Sequence, residues 1–183
     1  MELQQLIKAC KRNDKRAQSQ LFQKYKEVLY FTSLKYSRNA EEAEDNLHDA
    51  FMVIFQKIKS FKNKGSFEGW MKRIVMFKAI DKYKKNHYVP TDILEDVVAD
   101  TATTDTAVDH LSLDILLQCV QELPDQYRLV FNMYQLDGYT HKEVAGLLNI
   151  SEGTSKSNYH RAKQLLQKKI TELQAYKTSH HGA

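Results

Sequence analysis

THKEVAGLLNISEGTSKSNYHRAKQLL, residues Thr140–Leu166, carries two helical patterns with a short turn between them. Thr140 and Glu143 have the spacing of a capping box, in which the threonine hydroxyl and the glutamate carboxylate each satisfy the other's backbone N–H. The helix they open runs through Leu148. Asn149 tolerates the left-handed conformation a tight exit needs, and Ser151 is a good cap for the helix that follows. Two helices joined in this way predict a helix-turn-helix. On a helical wheel Ser155, Tyr159, Ala162 and Leu166 share an inward face. Gly153, Ser157, His160, Arg161 and Gln164 fall on the opposite face with Lys156 beside them. That outward face is short and polar at its start and basic further along. It suits close entry into a major groove, with the first turns at base edges and the later ones along phosphates.

The rest of the second half supports an all-helical reading. Leu113, Leu116, Leu117 and Val120 keep helical spacing up to Pro124, which suits the first turn of the next helix. Val130, Phe131 and Tyr134 are the apolar positions of that next helix, and Gly138 ends it. With two prolines and six glycines in 183 residues there is little material for β-turns. A hydrophobic fraction of 42% against 27% charged describes a soluble globular chain with a sizeable core. Cys10 and Cys119 are too few and too far apart for a disulfide framework or a metal site, and read as small buried hydrophobes. His180 and His181 read as part of a disordered tail, 177–183, rather than as ligands. No run of eighteen apolar residues exists and the N-terminus has no apolar signal core, so membrane insertion is not expected and a cytoplasmic location is.

The first half carries two charge patterns of opposite sign. Along Ala40–Phe61 the apolar stripe is Ala43, Leu47, Ala50, Phe51, Ile54, Ile58 and Phe61, while Glu41, Asp45 and Asp49 recur at i, i+4 steps on the other face, with Glu44 nearby. Like charges at that spacing repel; on an isolated helix the row reads as a solvated face, and its functional reading is a docking surface for a basic partner. From Lys57 to Lys85 the balance reverses to ten Lys or Arg against Glu68 and Asp81. Gly65 breaks the chain and Ser66 can cap a new helix, with Phe67, Trp70, Met71, Ile74 and Phe77 as its expected inner stripe. Cations interleaved with Phe61, Phe67, Trp70 and Tyr83 suit single-stranded nucleic acid, whose phosphates need neutralising and whose bases need rings or pockets. Residues 86–110 then contain no Lys or Arg but the acids Asp92, Glu95, Asp96, Asp100, Asp105 and Asp109, and read as an acidic linker. The expected organisation is therefore all-α: a helical bundle over 1–85, the linker over 86–110, a helix-turn-helix domain over 111–176 and the tail.

Taken together, EEAEDNLHDAF, GSFEGWMKRIV with AIDKYKK, LPDQYRLVF, GYTHKEVAGLLNISEGTSKSN and HRAKQLL resemble the extracytoplasmic-function (ECF) group of bacterial RNA polymerase sigma factors, of the sigma-70 superfamily. The resemblance spans roughly Ala17–Leu166, and its second half is most similar to the branch found in Bacteroidetes-type bacteria. It implies a non-enzymatic initiation factor without cofactor or metal. It also implies the partners core RNA polymerase, through the clamp helices of its largest subunit and its flap region, and promoter DNA, and it leaves open whether an anti-sigma factor restrains the protein. Carried over residue by residue, Glu41, Glu44, Asp45 and Asp49 would bind polymerase. Lys62, Asn63, Lys64, Ser66, Phe67, Arg73, Lys78, Lys82 and Lys85 would bind and help melt the −10 element. Thr154, Lys156, Ser157, His160, Arg161 and Gln164 would read the −35 duplex, and the acidic linker would thread the polymerase cleft. The chain departs from the family pattern at Asn46, where an aliphatic is usual, and at His48, Phe77 and Ser155, where Gln, Asn and Val are frequent.

A helix-turn-helix regulator or adaptor that binds duplex DNA without melting it is the alternative. It accounts for Thr140–Leu166 and leaves the acidic face and the cationic aromatic loop without a task. An enzyme is disfavoured by the lack of a glycine-rich phosphate loop and of any nucleophile or metal-ligand spacing.

Overall fold

The computed structural model describes residues 2–86 and 112–180, with side chains described up to residue 175. All the regular structure among these residues is helical. The chain divides into two compact units, Met1–Lys85 and Asn86–Ala183. Apart from Asn86, the expected linker lies outside the described residues.

The first unit holds α1 (Leu3–Lys11), α2 (Lys15–Tyr36), α3 (Ala40–Lys57) with a 3-10 turn at Ile58–Ser60, and α4 (Phe67–Asn86). The starts of α2 and α3 have a local cause. Asp14 accepts from Arg16 N and Ala17 N at 2.9 and 3.0 Å, and Asn39 accepts from Glu42 N at 2.8 Å. Such caps contribute about 1 kcal/mol each. The core joins Leu6, Ile7 and Cys10 of α1 to Leu21, Tyr25 and Leu29 of α2, Leu47, Phe51 and Ile54 of α3, and Met71 and Val75 of α4. Cys10 is fully buried, and burial followed by the nearby Asp14 charge pushes its thiol pKa up, away from reactivity.

Asn46 has a structural task. It is buried, and its Nδ2 donates to Ser33 Oγ at 3.0 Å and to Val75 O at 3.3 Å, while Ser33 Oγ donates to Ala43 O at 2.8 Å. One amide thus ties α2, α3 and α4 together, a job no aliphatic could do.

The second unit holds α5 (Leu113–Gln121), α6 (Asp125–Phe131) continued by a π turn at Asn132–Leu136, α7 (His141–Leu148) and α8 (Glu152–His180). Pro124 stands one position outside the first turn of α6, as its N-cap. The buried Arg128 is the internal clasp: its Nη1 donates to Gln121 O and Leu123 O at 2.9 and 2.8 Å and its Nη2 meets Asp125 Oδ1 at 2.5 Å. The last carbonyl of α5 and that of Leu123 in the turn beyond it are thereby satisfied by a side chain of α6. Cys119, Leu123, Ala162 and Leu166 form one buried cluster, and Val144 and Leu148 are buried on α7. Of the apolar positions on α5, Leu113 is exposed, so the buried side of that helix is Cys119 with Ile115 and Val120 partly covered. The helix α8 continues to His180, into the stretch expected as a tail; 181–183 lie outside the described residues.

Candidate nucleic-acid interface

The turn between α7 and α8 is built as its residues require. Thr140 Oγ1 accepts from Glu143 N at 3.2 Å while Glu143 Oε2 accepts from Thr140 N at 2.8 Å, closing the capping box. Asn149 has φ 61° and ψ 44°, and Ser151 Oγ accepts from Thr154 N at 2.9 Å. Ser155 is buried, with its Oγ 3.0 Å from His141 Nδ1, so the small polar residue at a position often held by valine links the two helices of the motif. The His141 ring stacks on Tyr134 at 3.9 Å between centroids. Burial first, and then the Lys156 charge, hold the His141 pKa below its ordinary value against the opposing effect of Glu152.

The start of α8 presents a mixed face. Lys156 and Gln164 are exposed, and Thr154 is half-buried. The Lys156 ammonium pairs with Glu152 at 2.9 Å, an exposed i, i+4 contact that contributes little and exchanges readily. Three of the expected contacts are less free than the wheel suggests. Ser157 Oγ donates to Thr154 O at 3.1 Å; Arg161 is half-buried and its Nη1 donates to Tyr127 OH at 3.3 Å; His160 is half-buried with its Nε2 fully enclosed. For Arg161 the cause is α6, whose Tyr127 hydroxyl accepts from its guanidinium on the side of α8 expected to face outward. Of the six residues expected to read the −35 duplex, Lys156 and Gln164 are the two that are exposed.

In the first unit Glu41, Glu44, Asp45 and Asp49 are all exposed on α3. Met52 shares their face at 63% exposure, an apolar residue about one turn beyond Asp49 at the C-terminal end of the charged row. Its position on the wheel, beside Asp45 and Asp49 and off the apolar stripe, is the signal in the sequence that places it there. The acidic and basic surfaces also meet. Lys78 Nζ lies 3.5 Å from Asp49 Oδ2 and Lys82 Nζ 3.8 Å from Glu42 Oε1. Burial acts to raise the Glu42 pKa, but hydrogen bonds from the Arg38 backbone and guanidinium, with the Arg38 and Lys82 charges, outweigh it and hold the carboxyl below its ordinary value. Two of the cations expected to meet −10 phosphates are therefore already paired with α3.

The loop before α4 is pinned by rings at both ends. Phe61 and Phe67 are buried, with centroids 5.0 Å apart in an edge-to-face contact, and Trp70 lies 5.4 and 5.5 Å from them. Phe67 therefore cannot offer a face to a base, which corrects its assignment as a DNA contact. Between the rings Lys62, Asn63, Lys64, Gly65 and Ser66 are all exposed. Asn63 and Gly65 both have positive φ, 55° and 80°, where asparagine and glycine are the residues with least strain. Ser66 Oγ accepts from Gly69 N at 3.2 Å and caps α4.

Phe77 is 39% exposed, against its expected place in the inner stripe. The buried side of α4 turns from Phe67, Met71 and Val75 to Met76, Ala79 and Ile80, leaving Phe77 on the outer side. There it lies on one face with half-exposed Trp70 and exposed Arg73 and Lys84. Lys85, at the end of α4, is exposed as well. Among the described residues no helix is long and apolar enough to cross a membrane.

Comparison with known proteins agrees with this division. The model for sigma-70 region 2 matches residues 21–88 and that for sigma-70 region 4 matches residues 113–166. The ECF RNA polymerase sigma factor SigM of Mycobacterium tuberculosis is 31% identical, over 88% of this chain and 81% of its own. The chain belongs to the ECF group of the sigma-70 family. This sigma factor is also 29% identical to the ECF sigma factor SigW of Bacillus subtilis, over 94% of this chain and 99% of that one. A solved structure of the Bartonella quintana sigma factor RpoE, in complex with the anti-sigma factor NepR, shares the fold. It has a TM-score of 0.50 at 18% identity, covering 84% of this chain and 96% of that one. The protein is thus a promoter-recognising sigma factor.

Proposed function

We propose that this sigma factor divides initiation among three surfaces. The exposed row Glu41, Glu44, Asp45 and Asp49, with Met52 at its C-terminal end, docks on the clamp helices of the polymerase largest subunit. Desolvated methionine beside rim charges is a common composition for such an interface. The first turns of α8, with Thr154, Lys156, Ser157 and Gln164, enter the −35 major groove, and Arg161, oriented by Tyr127, reaches the backbone beyond them. The loop Lys62–Ser66 captures an unpaired base of the non-template −10 strand, while the α4 face of Trp70, Arg73, Phe77 and Lys84 tracks that strand. Lys78, Lys82 and Lys85 add phosphate charge. Contact of the second unit with the polymerase flap region, and restraint by an anti-sigma factor, complete the reading.

One observation carries it: a fully exposed, cation-bearing loop held between two buried aromatic anchors. Nothing in the core needs Lys62, Asn63 or Lys64, and each captured base contributes on the order of 1–3 kcal/mol in comparable single-strand sites. Replacing the three with alanine leaves polymerase affinity and −35 binding intact and abolishes permanganate-detectable melting of the promoter. Opening at the wild-type rate would show that the loop is only a solvated connector.

A further inference from the structure

The side chain of Lys11, the last residue of α1, reaches across the unit and its Nζ donates to the carbonyl of Phe61 at 2.8 Å. That carbonyl belongs to the peptide group joining Phe61 to Lys62, the entry to the loop. The loop has no buried side chain of its own between Phe61 and Phe67. Its course is therefore set by its two ends. The exit is fixed by the buried Phe67 ring and the Ser66 cap. At the entry the Phe61 ring is fixed by packing, yet packing a ring does not fix the peptide plane that follows it. The ammonium does, because a charge-assisted bond to the carbonyl oxygen orients that plane and with it the direction in which Lys62 leaves. The α1 helix is itself anchored, through buried Leu6, Ile7 and Cys10, in the same core as Phe61, and it packs against the Ile58–Ser60 turn. It also lies ahead of the residues matched by the region 2 model, 21–88.

We propose that Lys11 is a positioning residue for promoter opening: it holds the entry peptide of the base-capturing loop and adds a third cation behind Lys62 and Lys64. This rests on the base-capture reading above. The half-buried stem of Lys11 can be kept while the charge is removed, so Lys11→Met is the informative substitution.

The test uses holoenzyme reconstituted with wild type, Lys11→Met, Lys11→Arg, Lys62→Ala and the double variant Lys11→Met/Lys62→Ala. Polymerase affinity and the permanganate-detected opening rate are measured for each. Opening is expected to slow about tenfold in Lys11→Met, equivalent to about 1.4 kcal/mol, at unchanged polymerase affinity, and to recover most of the way in Lys11→Arg. The double variant should lose less than the product of the two single effects, because both act through one loop. Wild-type opening by Lys11→Met, a loss that multiplies in full with Lys62→Ala, or a parallel fall in polymerase affinity would each overturn the proposal. The Lys62/Asn63/Lys64 triple-alanine variant separates the two levels. If it opens promoters normally, base capture itself fails; if it is defective while Lys11→Met is not, only the role of Lys11 fails.

Discussion

Asp45 is an exposed charge that like-charge repulsion disfavours in isolation and that the proposed docking would put to use. It stands in a row of like charges, fully solvated, with Asp49 one turn on and Met52 alongside. Reversal by Asp45→Lys therefore leaves circular dichroism and melting temperature nearly unchanged while weakening binding to core polymerase. Unaltered polymerase affinity would remove α3 from the docking surface. Arg161 is the opposite case, a cation whose guanidinium is steadied by the Tyr127 hydroxyl. Arg161→Ala is expected to weaken −35 binding and to reduce the dependence of log K on log salt by roughly one phosphate contact. If Arg161 instead reads a guanine edge, the loss is about 1–3 kcal/mol and confined to one base pair. A variant that binds −35 DNA as wild type does would contradict both. Phe67 and Phe77 show where reading residues one at a time misleads. Phe67 is buried, as its place in the inner stripe requires, which conflicts with its reading as a DNA contact, while Phe77 lies outward because the buried side of α4 rotates along its length and a single wheel averages over that turn.

Helix starts were legible for the same reason that they are stable: the partners lie within a few residues. The Thr140–Glu143 box, the Asn149 turn and the Ser66 and Ser151 caps all follow from spacing alone. What spacing does not reveal is a partner from another helix, such as Val75 O for Asn46, Tyr127 OH for Arg161 or Phe61 O for Lys11. The link between α7 and α8 makes a prediction of this kind. His141 is stacked on Tyr134, hydrogen-bonded to Ser155 and flanked by the Lys156 charge, with Glu152 opposing. Its folded pKa lies below the ordinary 6.5, so between the two values the unfolded chain binds more protons than the folded one. Stability of the second unit therefore falls as pH drops below about 6.5. Urea titrations of the full chain at neutral and mildly acidic pH should resolve that loss, and His141→Phe should diminish it. A wild-type loss matched in full by His141→Phe would place the titrating group elsewhere.

In the proposed reading the two units carry chemically different work, and the first carries two kinds of it. In Met1–Lys85 an acidic helix face and a cationic loop and helix belong to one core, and the Asp49–Lys78 and Glu42–Lys82 pairs join them directly. Surface pairs of this sort contribute about 0–1 kcal/mol, so a basic polymerase surface on α3 can displace Lys78 and Lys82 towards DNA at little cost. A regulator that only grips duplex DNA has no use for such an arrangement, whereas a factor that must hold polymerase and an opened strand together does. Capture of unpaired bases is thus the claim on which the account turns. It is measured most directly by run-off transcription with core polymerase and the Lys62/Asn63/Lys64 triple-alanine variant, on a duplex promoter and on the same promoter carrying a pre-opened −10 bubble. The account predicts that duplex transcription is lost and that the bubble restores much of it, since pairing no longer opposes capture. Equal activity of variant and wild type on the duplex, or a loss that the bubble does not relieve, would contradict it.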